Sequence, residues 1–316
     1  MQEEEFMAEA PPKMPPLWVV KTRAPFFTAT IVPIFLGTLI AWARTGTFYP
    51  GYFALTLIGG ICLHAGVNMT NDYFDHTWGS DEVNEEFAAP FTGGSRLIQM
   101  GIVSPKTMLG QGLAFFLAGG LIGLFLACTR GPWVLWLGSF GALTGFFYTA
   151  PPFRLVATGI GELFIGLDFG VLMVLGAYYT QATELSWEAA IASLPVALLI
   201  GAVLYINEFQ DMKADQAVGK NQIVVRLGRR RAALGYGLLM IATYGSLVLG
   251  VALAGVSPFA LLGLLTAPLA WQAFQIARAN YDNLPALVPA NVNTIKTHLF
   301  TGALMSLGYA VQLIVA

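Results

Sequence analysis

Charge is what this sequence has least of. Asp, Glu, Lys and Arg make up 11% of its 316 residues, against 56% hydrophobic. Soluble globular chains carry roughly 25% charged residues, so a surface solvated by water alone is excluded. Cysteine is nearly absent too: Cys62 and Cys128 lie in separate apolar stretches. They offer neither metal-ligand spacing nor a disulfide framework, and read as small buried residues. Of the histidines, His76 and His298 belong to no pattern. The opening MQEEEFMAEAPPKMPP is acidic and then proline-rich, without the basic start and apolar core of a cleavable signal. Residues 1–16 are expected to form a flexible cytoplasmic tail ahead of a membrane domain over 17–316. The net charge of −2 identifies no partner, and no nucleic acid is expected as one.

Long apolar runs are what the sequence has instead. About 17–23 such residues cross a bilayer as a helix. Nine runs qualify, over 24–43, 51–70, 107–128, 132–149, 161–180, 187–207, 232–254, 257–278 and 297–316. Proline and glycine separate several of them, at Pro105, Gly131-Pro132, Pro151-Pro152 and Pro285. Lys and Arg accumulate in cytoplasmic loops. With nine spans, fourteen of the sixteen fall on the side of the N-terminus, leaving Arg44 and Arg130 opposite. The N-terminus is therefore expected to be cytoplasmic and the C-terminus outside, in the cell (inner) membrane.

Two polar stretches on the cytoplasmic side, 72–106 and 208–231, interrupt the apolar pattern. The second span leads into NMTNDYFDHTWGSD, where Asn68, Asp72 and Asp75 share one helix face, Asn71 borders it, and Asp81 follows Gly79. The sixth leads into NEFQDMKADQAVGK, with Asn207, Asp211 and Asp215 on one face. One such cluster reads equally well as a solvated helix end. Two of like geometry on one side of a membrane point to a site. Converging carboxylates repel unless a cation lies among them, and magnesium binds through a few carboxylates together with substrate phosphates. Arg96, Arg154, Lys213 and Lys220 lie close by in sequence and suit phosphate oxygens. Arg229, Arg230 and Arg231 read as topology or lipid-headgroup residues.

The paired motifs resemble those of the UbiA-type superfamily of intramembrane prenyltransferases, which carry an NDxxD-type motif after the second helix and DxxxD after the sixth. NDYFDHTWGSD is similar to the NDYxDxxxGxD form of 1,4-dihydroxy-2-naphthoate polyprenyltransferases. The 4-hydroxybenzoate enzymes place the third acid where Gly79 stands here. NEFQDMKADQAVGKNQIVVRLG and GIGELFIGLDFGVLMVLGAYYTQ carry the likeness on, and it covers 17–316. It implies an all-α integral membrane fold, nine transmembrane helices in one bundle around a central cavity opening near the cytoplasmic side. It also implies magnesium-assisted loss of diphosphate from a polyprenyl diphosphate and attack of the carbocation on an aromatic ring. In the naphthoate group the ring carboxylate leaves as carbon dioxide, a step of menaquinone synthesis. Asp72, Asp75, Asp211 and Asp215 would hold metal, with Asn68, Asn71 and Asn207 completing or orienting the substrate site. Arg154 and Lys220 would stabilise the departing diphosphate, with Arg96 and Lys213 near it.

A carbocation needs a dry site and π-faces, for which Phe146, Phe147, Tyr148, Tyr178, Tyr179 and Tyr205 are candidates, Tyr148 foremost. Asp168, alone and deep in the fifth span, is expected to face the cavity or be protonated, with contact to a substrate hydroxyl as its functional reading; His64 either lines the acceptor site or is a packed, hydrogen-bonded histidine. Another acceptor remains open: 4-hydroxybenzoate, a haem precursor or a glycerol phosphate lipid. A cation-coupled transporter is the rival from another class, but transporters place coupling sites at the midplane and these acids lie at helix ends.

Overall fold

The structure, a computed structural model, describes residues 15–315. The expected tail over 1–16 lies outside the described residues except for Pro15 and Pro16. Nine apolar helices follow: α1 (Ala24–Thr45), α2 (Pro50–Trp78), α3 (Pro105–Arg130), α4 (Trp133–Phe147), α5 (Gly161–Ala182), α6 (Trp187–Ala217), α7 (Arg229–Leu253), α8 (Pro258–Asn280) and α9 (Leu284–Val315). Among the described residues, eight are long and apolar enough to cross a bilayer; α4, with 15 residues, is shorter. No strand occurs among the described residues.

Each helix packs on its sequence neighbours and α9 returns to α1, which closes a ring. Short connections make this the economical arrangement. α6 also packs against α9 and supplies side chains to both main apolar clusters, among them Val196, Ile200, Leu199 and Phe209. α3 turns Leu117, Leu121 and Phe125 outward, as a helix facing lipid would.

Three boundaries differ from the expectation drawn from hydropathy. α2 continues past residue 70 to Trp78, where Gly79 at φ 77° ends it in the left-handed conformation. α6 continues past 207 to Ala217. Both acidic motifs therefore ride on helices, because a helix persists until its hydrogen-bond ladder is broken, not until its apolar run stops. α9 begins at Leu284 instead of 297, with Pro285 in its first turn, where proline sacrifices no ladder bond. Short helices Ser80–Val83 and Ile223–Leu227 occupy the two polar connections.

Candidate active site

The C-terminal ends of α2 and α6 meet at one end of the bundle. The Lys220 ammonium lies 2.9 Å from Asp75 Oδ1 on α2 and 3.2 Å from Asp215 Oδ1 on α6, at 5% exposure. Burial works against its charge, but Asp75 and Asp215 outweigh it and hold the ammonium well above its usual pKa. Beside this bridge opens a cavity of about 190 Å³. Its mouth is polar, with Asn68, Asn71, Asp75, Asn207, Asp211, Asp215 and Lys220 in the wall, and its inner half is apolar, with Val67, Ile165, Phe169 and Ile200. Tyr148 and His64 line it as well. The His64 Nδ1 is 2.8 Å from Thr30 Oγ1, and its ring meets Phe169 edge-on at 4.5 Å.

The segment between α2 and α3 closes over this mouth and binds both motifs. Asn84 Nδ2 donates to Asp211 Oδ1 at 2.6 Å, and Asn207 Nδ2 donates to the Phe91 carbonyl at 3.2 Å. On α2, the Ser95 N–H reaches both Asp72 oxygens at 3.3 Å. Gly94 makes that approach possible, since its φ is 68° and a Cβ there would stand 2.9 Å from Asp72 Oδ1. Asn71 Nδ2 donates to Asp75 Oδ2 at 3.1 Å, while Asn68 Nδ2 donates to the Thr22 carbonyl at 2.9 Å. Asp81 also lines the cavity; burial, then Asp75 and Asp72, push its carboxyl up to about 8.

Sequence reasoning missed Arg23 here, reading it as a topology charge. It adopts φ 53° just before α1, which turns its guanidinium into the cavity wall. There Nη1 donates to Asn71 Oδ1 at 3.3 Å and lies 4.0 Å from Asp72 Oδ1. Asn84 was missed as well, because no helical spacing marks a loop amide. Three of the four expected bases lie outside the cavity lining. Lys213 is largely exposed and pairs with Glu86, and Arg96 stacks over Phe87 at 4.5 Å while donating to the Asp81 carbonyl. Arg154 stands over the Trp78 ring at 3.4 Å, outside the cavity lining.

Arg229 requires a correction. It is 8% exposed and donates to Glu86 Oε2 at 2.7 Å and to the Phe209 carbonyl at 2.9 Å. It ties the α2–α3 segment to α6 and α7, and is no headgroup residue. Lys213 and Arg229 outweigh burial at Glu86 and hold its carboxyl below the usual range.

Asp168 belongs to a second cavity of about 140 Å³ between α2, α3, α4 and α5, which shares His64, Val67 and Phe169 with the first. It lies in a π-turn over Leu167–Leu172. Thr144 Oγ1 donates to Asp168 Oδ2 at 2.8 Å, and Oδ1 has no partner. Tyr178, Tyr179, Tyr205, Phe146 and Phe147 line neither cavity.

Among the described residues no three His, Cys, Asp or Glu side chains form a ready-made metal cage. The acids are instead held apart by Lys220, Asn84 and the Ser95 N–H. Such a donor set suits a hard cation that arrives with phosphate and keeps waters. A helical membrane bundle with two acidic helix ends at the mouth of a half-apolar cavity defines the class.

The chain belongs to the UbiA prenyltransferase family, whose profile matches residues 30–295. It is 31% identical over 298 residues to the 2-carboxy-1,4-naphthoquinone phytyltransferase of Synechocystis sp., covering 93% of this chain and 92% of that one. It is 27% identical over 301 residues to the 1,4-dihydroxy-2-naphthoate octaprenyltransferase of Bacillus subtilis, covering 94% and 92%. The fold is that of the UbiA homologue from Archaeoglobus fulgidus solved with DMAPP and Mg2+, with a TM-score of 0.69 at 15% identity over 95% of this chain and 99% of that one. The protein is thus a prenyltransferase of the membrane, and the transporter reading falls.

Proposed function

We propose that this enzyme transfers a polyprenyl group from an allylic polyprenyl diphosphate to 1,4-dihydroxy-2-naphthoate, with magnesium as cofactor. The observation that carries the reading is the Lys220 bridge between Asp75 and Asp215, which joins the two motif helices at the mouth of a cavity apolar within. The naphthoate names of relatives aligned over more than nine-tenths of the chain favour that acceptor.

Asp72, Asp75, Asp211 and Asp215 would hold the magnesium, which supplies Lewis-acid neutralisation of the diphosphate. Lys220 and Arg23 would exchange their carboxylate partners for diphosphate oxygens as the C1–O bond breaks. Asn71 and Asn84 orient the acids, and the α2–α3 segment limits entry of water. Tyr148, Phe26 and Phe169 present π-faces to the allylic cation. The C1–carbon bond then forms at the ring carbon that loses its carboxylate as carbon dioxide. The second cavity offers an apolar run for the prenyl chain.

In this reading α4 is a ninth crossing, and the site faces the cytoplasm across the cell (inner) membrane, with the C-terminus outside. The fourteen-to-two partition of Lys and Arg supports that orientation. Purified protein in detergent, given magnesium, a series of polyprenyl diphosphates and a panel of acceptors, tests the proposal by mass spectrometry of the product. Prenylated, decarboxylated naphthoate is expected. Transfer to 4-hydroxybenzoate, a haem precursor or a glycerol phosphate lipid, with none to the naphthoate, refutes it.

A further inference from the structure

We propose that Glu162 is a positioning residue for Lys220: it anchors the turn that aims the Lys220 ammonium between the two acidic helices. The inference rests on the reading above that Lys220 meets the diphosphate.

Lys220 is not on a helix. It follows Gly219, at φ 76°, in the turn that leaves α6, and its long stem gives the ammonium wide freedom unless the backbone is held. Backbone N–H groups on both sides of it are bonded, and the Asn221 carbonyl accepts from Arg226 Nε at 2.7 Å. The Lys220 N–H donates to the Asp215 carbonyl at 2.8 Å, the Asn221 N–H to the Ala157 carbonyl at 3.2 Å, and the Ile223 N–H to Glu162 Oε1 at 3.0 Å. The first is local to α6 and the second is backbone to backbone. Glu162 reaches the segment from the first turn of α5, so it is the side chain through which α5 sets the turn's position. A carboxylate accepting an amide N–H makes a stronger bond than a neutral acceptor.

Among the described residues Glu162 Oε1 accepts from the Ile223 N–H, while Oε2 and both carboxylate oxygens of the buried Glu208 on α6 have no partner. The Ile223 bond is therefore what Glu162 contributes to the turn. None of this chemistry touches the substrate; its product is the place of one ammonium. A shift of about 1 Å in such a group is enough for a rate loss on the order of a hundredfold.

The test is a double-variant cycle between Glu162→Ala and Lys220→Met, with Glu162→Gln as the conservative control. Steady-state transfer is measured in detergent with magnesium, on protein shown to be monodisperse. Glu162→Ala is expected to lower kcat/KM for prenyl diphosphate at least about tenfold and leave the acceptor KM unchanged. Glu162→Gln should stay within about twofold of wild type, because its amide oxygen still accepts from the Ile223 N–H. In the Lys220→Met background, Glu162→Ala should add less than about twofold, since coupled residues are not additive. Full additivity, or a rise in the acceptor KM of the same size, overturns the proposal. If wild type prenylates no acceptor, the functional reading fails instead. The same cycle is then read calorimetrically as affinity for magnesium diphosphate, where additivity again overturns the positioning role.

Discussion

Lys220→Met keeps the length and apolar stem of the side chain and removes its charge from between Asp75 and Asp215. At 2.9 and 3.2 Å, each attraction is about 5 kcal/mol at an effective dielectric near 20. Desolvation offsets part of this, and stripping one partner from a buried ion pair costs about 3–5 kcal/mol. Purified variant in detergent with EDTA is therefore expected to denature earlier than wild type by an amount in that range. Magnesium supplies the missing positive charge to the same carboxylates, so millimolar magnesium should close at least about half of the gap. Activity is not recovered with it: loss of one preorganised charge on the departing diphosphate should lower kcat about a hundredfold. Equal stability of the two proteins in EDTA, together with equal response to magnesium, would refute the placing of Lys220 as counter-ion to a metal-binding carboxylate set.

Asp72→Ala and Asp211→Ala should each abolish transfer while elution as a folded, monodisperse protein is unchanged; full activity of either counts against the site. Arg229→Ala removes the donor to Glu86 Oε2 and to the Phe209 carbonyl, so it should destabilise the protein by about 1–3 kcal/mol, whereas Arg230→Ala should stay active and as stable as wild type. In the metal-free protein the Asp81 carboxyl is raised to about 8 by burial and by Asp75 and Asp72. It is protonated when folded and ionised when unfolded between about pH 4 and about pH 8, so stability falls as pH rises through that window. Asp81→Asn should flatten that slope, measured by denaturation in EDTA; an unchanged slope refutes the assignment.

Apolar runs and the two acidic stripes were legible because each obeys a local rule. A bilayer sets the length of a helix that crosses it, and i, i+4 spacing sets which side chains share a face. All nine runs therefore appear as helices, α4 shorter than expected. Asn68, Asp75, Asn207, Asp211 and Asp215 line one cavity, with Asp72 beside it under Ser95. The apolar runs ending at 70 and 207 stop short of the ends of α2 and α6, since hydropathy reports where apolar residues stop and not where Gly79 ends the ladder, but the helical spacing of the acids already carried both helices into their motifs.

What tertiary structure alone decided is where each cation goes. Lys213, Lys220, Arg23, Arg96 and Arg229 look alike in sequence, as long basic side chains outside the nine apolar runs. Yet Lys220 bridges two helices, Arg23 enters the cavity wall through a left-handed backbone, and Arg229 is buried on Glu86. Lys213 and Arg96 turn outward onto loop partners. A charged side chain settles where its desolvation is compensated, and the compensating groups come from distant segments: Asp75 for Lys220, Asn71 for Arg23, Ile223 for Glu162. No local pattern encodes such pairings, because they exist only once the ring of helices has closed.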